Sequence, residues 1–173
     1  MSLRDDLAAC LPQLHRYARA LTGDAAWADD LVQDTVERAL GRTSLLRAHS
    51  NTRAWLMTIL RHLYIDQLRK RHELALDADD PLWQQLEAPA GEVDGLLLLD
   101  VQRALYRLPL EQREVLLLVA LEQLSYREAA AILQVPVGTV MSRLSRAREH
   151  LRELLGGDAG SRPNVFKVVR KRP

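Results

Sequence analysis

One cysteine, Cys10, in 173 residues excludes an internal disulfide and leaves no second thiol with which to build a zinc site. The five histidines, His15, His49, His62, His72 and His150, show no HxxxH or HExxH spacing, so neither a metal centre nor a metal cofactor is expected. A single phenylalanine and few threonines leave little material for a sheet. No apolar run approaches the ~20 residues that a membrane span requires, and the N-terminal positions lack a signal-peptide layout. There is no nucleophile paired with a base and no phosphate-binding glycine loop, so no catalytic residue or cofactor is assigned. What remains is a Leu-, Ala-, Arg-, Glu- and Gln-rich chain, expected to be all-α, free of membrane insertion and cytoplasmic. Cys10 fits a small core hydrophobe.

The net charge is only +1, but its distribution is uneven. Residues 53–72 hold five basic side chains and one acidic, 73–94 hold seven acidic and none basic, and 134–173 hold nine basic and three acidic. Two basic blocks around an acidic one point to two nucleic-acid contacts rather than to a uniformly solvated surface.

Along the chain, Leu11, Leu14, Tyr17, Ala18 and Leu21 form a helical stripe that Pro12 should kink or restart. Asp24 is placed to cap a second helix, Ala25 to Leu40. Trp27, Leu31, Val32, Thr35 and Ala39 lie on one side of it, and Asp29, Asp30, Gln33, Asp34, Glu37 and Arg38 on the other. Such an acidic face is either solvated or a partner surface. Gly41 to Asn51 reads as a loop, followed by a helix over 53–71 capped by Asn51 or Thr52. Trp55, Leu56, Ile59, Leu60, Leu63 and Leu68 give that helix its core stripe, and Arg61, His62, Tyr64, Asp66, Arg69, Lys70 and Arg71 decorate the rest. Rings beside basic groups suit unpaired bases, though a basic last turn also complements the helix dipole. The acidic segment 73–95, with two prolines and two glycines, reads as a flexible linker and domain boundary. Helical spacing resumes over 96–108, stops at Pro109, and returns for a buried helix over 111–122.

The most informative stretch is Ser125 to Leu155. Ser125-Tyr126-Arg127-Glu128 has capping-box spacing, and Pro136 ends the short helix it starts. On the next helix Val137, Val140, Leu144, Ala147 and Leu151 gather within roughly 80° of arc at 100° per residue, a core face. Gly138, Thr139, Ser142, Ser145 and Arg146 lie opposite, flanked by Arg143 and Arg148. A short helix, a tight turn and a second helix with a small, basic face make a helix-turn-helix whose second helix suits a DNA major groove. A plain helical hairpin with a solvated arginine face fits the same pattern. Gly156-Gly157 ends this helix, and 156–173 is a basic tail with an apolar patch over 165–169.

Four segments, DDLVQDTVERAL (29–40), NTRAWLMTILRHLYIDQLRKR (51–71), LPLEQREVLLL (108–118) and LSYREAAAILQVPVGTVMSRLSRARE (124–149), in this order around an acidic linker, resemble the sigma factors of bacterial RNA polymerase of the compact extracytoplasmic-function (ECF) type. The resemblance covers about residues 5–155. It implies two small helical domains, sigma domain 2 over 1–72 and sigma domain 4 over 96–155. It further implies an alternative sigma factor that binds core polymerase and directs initiation at promoters with particular −35 and −10 elements. Asp30, Leu31, Gln33, Asp34 and Glu37 then fall on the core-polymerase surface. Asn51, Trp55, Arg61, His62, Tyr64 and Arg69 fall at the −10 element, whose extruded base the family captures in a loop corresponding to about 43–52. Thr139, Met141, Ser142, Arg143, Ser145 and Arg146 fall at the −35 element. The implied partners of this monomer are core RNA polymerase, promoter DNA and an anti-sigma factor.

Three positions depart from the family pattern. Met141 stands where Lys or Arg is frequent, Gln134 where the turn usually has Gly, and His62 where Asn is common. The competing reading is an autonomous helix-turn-helix regulator binding an operator as a dimer. That reading needs a self-complementary apolar face, and no spare heptad supplies one.

Overall fold

The computed structural model describes residues 3–46, 51–75 and 94–156, all helix or the turns between helices. The chain divides into two compact units, residues 1–87 and 88–173. The division falls inside the segment read as a linker; most of that segment, with Trp83, and the tail beyond 156 lie outside the described residues.

The first unit contains α1 (Leu3–Thr22), α2 (Ala25–Leu40), the short α3 (Thr43–Leu46) and α4 (Thr52–Ala75). Pro12 does not restart α1, which runs through it unbroken. The carbonyl that proline deprives of a partner belongs to Ala8; Ala8 and Pro12 are both exposed, so water serves that group. Leu7 and Leu14, buried on either side of Pro12, hold both halves of α1 in the core. Thr22 and Gly23 end α1, and Asp24 starts α2 as expected, its Oδ1 accepting the Trp27 backbone N–H at 3.0 Å. Asn51, rather than Thr52, caps α4: its Oδ1 accepts the Ala54 N–H at 3.0 Å. The core lies between α1, α2 and α4, where Leu14, Leu21, Leu31, Leu56 and Leu60 are wholly buried. Each such leucine contributes about 1.5–3 kcal/mol. Cys10 is half-buried beside them. Burial raises its thiol pKa, which the Arg53 guanidinium opposes and Asp6 reinforces.

Two boundaries differ from the sequence reading. The stretch read as a loop contains helix α3, which takes the first part of the base-capturing loop expected at about 43–52, and residues 47–50 of that loop lie outside the described residues. The expected linker is helical at both ends, because α4 continues through Glu73 to Ala75 and α5 begins at Asp94.

The second unit contains α5 (Asp94–Arg107), α6 (Leu110–Leu116), a π-helical turn over Leu117–Leu121, α7 (Tyr126–Leu133) and α8 (Val137–Leu154). Instead of one helix over 111–122, α6 widens at Leu117, and the Glu122 N–H reaches back five residues to the Leu117 carbonyl at 2.9 Å. The run 115–119 is apolar at every position. In this unit all five of those residues are buried, and Leu124 is buried after the turn as well. Gln123, at φ 55°, completes the reversal.

Candidate nucleic-acid interface

The helix-turn-helix is built from caps upward. Ser125 Oγ accepts the Glu128 N–H at 3.1 Å, and Glu128 Oε2 accepts the Ser125 N–H at 2.8 Å, a complete capping box. Gln134 ends α7 in the left-handed region (φ 55°, ψ 46°), and the Val135 N–H returns to the Ala130 carbonyl at 3.1 Å. Pro136 then opens α8 in extended backbone, where its missing N–H costs nothing.

α8 is held by Val140, Leu144, Ala147 and Leu151, all buried; Val137, expected beside them, is 36% exposed because it sits in the first turn beyond the edge of the core. His150 Nδ1 lies 3.1 Å from Gln112 Oε1, tying the far end of α8 to α6. The outward side presents Met141, Ser142, Ser145 and Arg146, all exposed, with Thr139 and Arg143 half-buried at its margin. Ser142 Oγ donates to the Thr139 carbonyl at 3.1 Å. Arg143 Nη2 lies 3.6 Å from Glu111 Oε1, a weak surface pair that a phosphate can replace. The six residues assigned to the −35 element thus share one side of α8. Arg148 lies at the edge of this surface, in a shallow cleft that it lines with Tyr126, Met141, Ser145 and Arg152, its Nε and Nη2 shielded from solvent.

In the first unit Asp30, Gln33, Asp34 and Glu37 are exposed within roughly 100° of arc on α2. Gln33 Nε2 donates to Glu37 Oε1 at 3.3 Å. Leu31 does not belong with them. It lies 0% exposed in the core, about 100° round the helix from Asp30, as its place in the apolar stripe with Val32 and Thr35 requires.

α4 separates its assigned residues in the same way. His62 and Arg69 are exposed, Trp55 and Arg61 half-buried, and Trp55, His62 and Arg69 recur at intervals of seven along one stripe with the cap Asn51 at its start. Tyr64 is on the opposite side, 1% exposed, its O–H donating to the Leu21 carbonyl at 3.3 Å and its ring 5.5 Å from that of Trp27. It is a core residue and leaves the candidate DNA surface. Gln67 was overlooked: Trp27 Nε1 donates to its Oε1 at 2.7 Å, and its Nε2 donates to Asp34 Oδ2 at 3.1 Å. No spacing rule announces a contact between residues 33 positions apart. Among the described residues no group of three or more His, Cys, Asp or Glu could hold a metal ion, and no helix is long and apolar enough to cross a membrane.

Comparison with known proteins bears on both units. Residues 7–61 match the family model described as the Sigma2 domain of PhyR, and residues 98–151 match Sigma-70, region 4. The chain is 44% identical over 154 residues to the ECF RNA polymerase sigma factor EcfG of Rhodopseudomonas palustris, covering 89% of this chain and 85% of that one. It is 37% identical over 143 residues to the ECF RNA polymerase sigma factor SigC of Mycobacterium tuberculosis, covering 76% and 72%. Among solved structures it resembles the sigma factor RpoE of Bartonella quintana, determined in complex with the anti-sigma factor NepR (TM-score 0.75, 37% identity, 90% of this chain and 97% of that one). With both units matched and their order kept, the chain belongs to the ECF RNA polymerase sigma factors.

Proposed function

We propose that this alternative sigma factor divides its work among three helix faces. Asp30, Gln33, Asp34 and Glu37 on α2 bind core RNA polymerase. The α4 stripe of Trp55, His62 and Arg69, with Asn51 at its start and Arg61 on its flank, engages and opens the −10 element. Thr139, Met141, Ser142, Arg143, Ser145 and Arg146 on α8 read the −35 element. The domains are taken as 1–72 and 96–155, joined by 73–95, in a monomer that works in the cytoplasm. The observation that carries the reading is the outward side of α8: small, hydroxyl-bearing and basic, on a helix whose apolar side is fully packed. Small residues permit close approach, and arginine forks suit guanine edges and phosphates. Opening a base pair costs a few kcal/mol, recovered from single-strand contacts without a catalytic group or cofactor.

An anti-sigma factor is the proposed inhibitor, because the similar Bartonella sigma factor was solved with one bound. The match of residues 7–61 to a domain of PhyR supports a second reading, in which the chain only competes for such an inhibitor; PhyR itself was solved as an anti-anti-sigma factor bound to NepR. Run-off transcription with core polymerase, with and without the protein, separates the two. New start sites on a subset of genomic templates are expected; their absence on every template overturns the sigma reading and leaves the competitor.

A further inference from the structure

The amide of Gln67 is occupied at both ends, accepting from Trp27 Nε1 at 2.7 Å and donating to Asp34 Oδ2 at 3.1 Å. An indole N–H only donates and a carboxylate only accepts, so the amide has a single orientation that satisfies both. Trp27 is itself immobile: it is 5% exposed, its ring lies 5.5 Å from that of Tyr64, and the Arg71 guanidinium stands 3.8 Å from its centroid. A chain of fixed groups rooted in the core therefore ends on an exposed carboxylate. Among the described residues, Asp34 is the one of the four exposed residues assigned to the polymerase face that is held from another helix, whereas the Gln33 and Glu37 side chains bond to each other along α2.

We propose that Gln67 is a positioning residue for polymerase binding, holding the Asp34 carboxylate in the orientation that a cationic or N–H donor group on the polymerase meets. The proposal rests on the reading of α2 as the polymerase face. An exposed aspartate samples several rotamers, and a partner that needs one of them bears the entropy of selecting it; the Gln67 bond removes that cost beforehand. The bond engages Oδ2, and among the described residues nothing bonds Oδ1, which leaves that oxygen for the partner. The polymerase face is then a property of α2 and α4 together, and α4 carries its DNA stripe on another side of the same helix.

The test uses the full-length protein and core polymerase, with affinity measured by fluorescence anisotropy for Asp34→Ala, Gln67→Met, Gln67→Glu and the double variant Asp34→Ala/Gln67→Met. Gln67→Met keeps the length and apolar stem and removes both bonds. Gln67→Glu keeps the acceptor for Trp27 and replaces the donor facing Asp34 with a like charge, so it loses the positioning while preserving the buried contact. Each single Gln67 variant is expected to weaken binding about three- to tenfold, on the order of one ordinary hydrogen bond, because the Asp34 charge itself remains. Added to Asp34→Ala, Gln67→Met should cost less than about twofold more, because its effect passes through the missing carboxylate. A residue that merely supports the fold would lower affinity equally in both backgrounds. Three results are decisive against the idea. If Asp34→Ala binds core polymerase normally, the polymerase-face reading fails and takes this inference with it. If Asp34→Ala weakens binding while both Gln67 variants bind normally, or if Gln67→Met costs the same with and without Asp34, the inference about Gln67 alone is overturned.

Discussion

Replacing Gln134 with glycine should stabilise the second unit. Gln134 sits at φ 55° and ψ 46°, where the Cβ of an L-residue crowds its own backbone at a cost of about 1–2 kcal/mol. Its exposed side chain makes no hydrogen bond among the described residues, so its removal forfeits nothing there. Glycine relieves the crowding but gives the unfolded chain more freedom, worth about 0.5–1 kcal/mol in the other direction. The net gain is about 0.5–1 kcal/mol, or a rise in melting temperature of roughly 2–6 °C for a unit of this size. Gln134→Ala is the control, since it keeps the Cβ and therefore the crowding, and should melt with the native protein. Thermal unfolding gives the shift, and amide exchange at Val140 and Leu144, both buried on α8, assigns it to this unit. A glycine variant no more stable than the alanine one would refute the claim that the turn is strained, and with it the explanation of why glycine suits this position.

Three further outcomes follow from particular contacts. Ser125→Ala removes one half of the capping box and should destabilise the second unit by about 1 kcal/mol in urea titration, with Glu128 left intact. Tyr64→Phe removes the O–H bond to the Leu21 carbonyl and should cost about 1 kcal/mol of stability while leaving promoter affinity of the holoenzyme unchanged; a selective loss of −10 binding would return Tyr64 to the DNA surface. Arg146→Ala, on an exposed side chain, should weaken holoenzyme binding to −35 DNA by about 1–3 kcal/mol in a competition assay, and unchanged binding would contradict its role.

Most of the helical framework was legible in the sequence, because it follows from local chemistry. Asp24, Ser125 and Pro136 each act within a few residues, and each starts the helix its spacing announces. Pro12 misled as a point of restart because its local cost is outweighed by the burial of Leu7 and Leu14 on either side, and burial is a tertiary property. The π-helical turn at 117–121 has no periodic signature, because a run apolar at every position carries no mark of where the helix widens. The site residues divide similarly. Leu31 and Tyr64 were drawn onto surfaces by their neighbours in a motif, whereas one turn of helix arithmetic places each beside core residues. Gln67 was invisible for the opposite reason. Its partners come from a different helix, and a sequence does not show which amide will meet which carboxylate until α2 and α4 are packed.

The economy of the α8 face also bears on why such a protein acts as a dissociable subunit. The face offers Arg146 and Arg143, the latter already paired with Glu111, besides two serines, a threonine and Met141. Two cations release few counterions, so sequence-independent attraction to a duplex through this face is weak and its dependence on salt is shallow. One or two bidentate contacts contribute about 1–3 kcal/mol each, whereas singling out a site among a genome of competitors takes about 4–10 kcal/mol. An autonomous regulator makes up the shortfall by presenting the face twice through dimerisation. Here most of the apolar side of α8 is consumed by Val140, Leu144, Ala147 and Leu151 packing within the unit, and the large apolar side chains left exposed on that helix, Val137 and Met141, are too few to join a second copy. A polymerase that holds the −35 and −10 readers on one promoter makes the second contact intramolecular, with an effective concentration of order millimolar. On that account α8 is sparing because it never has to bind alone.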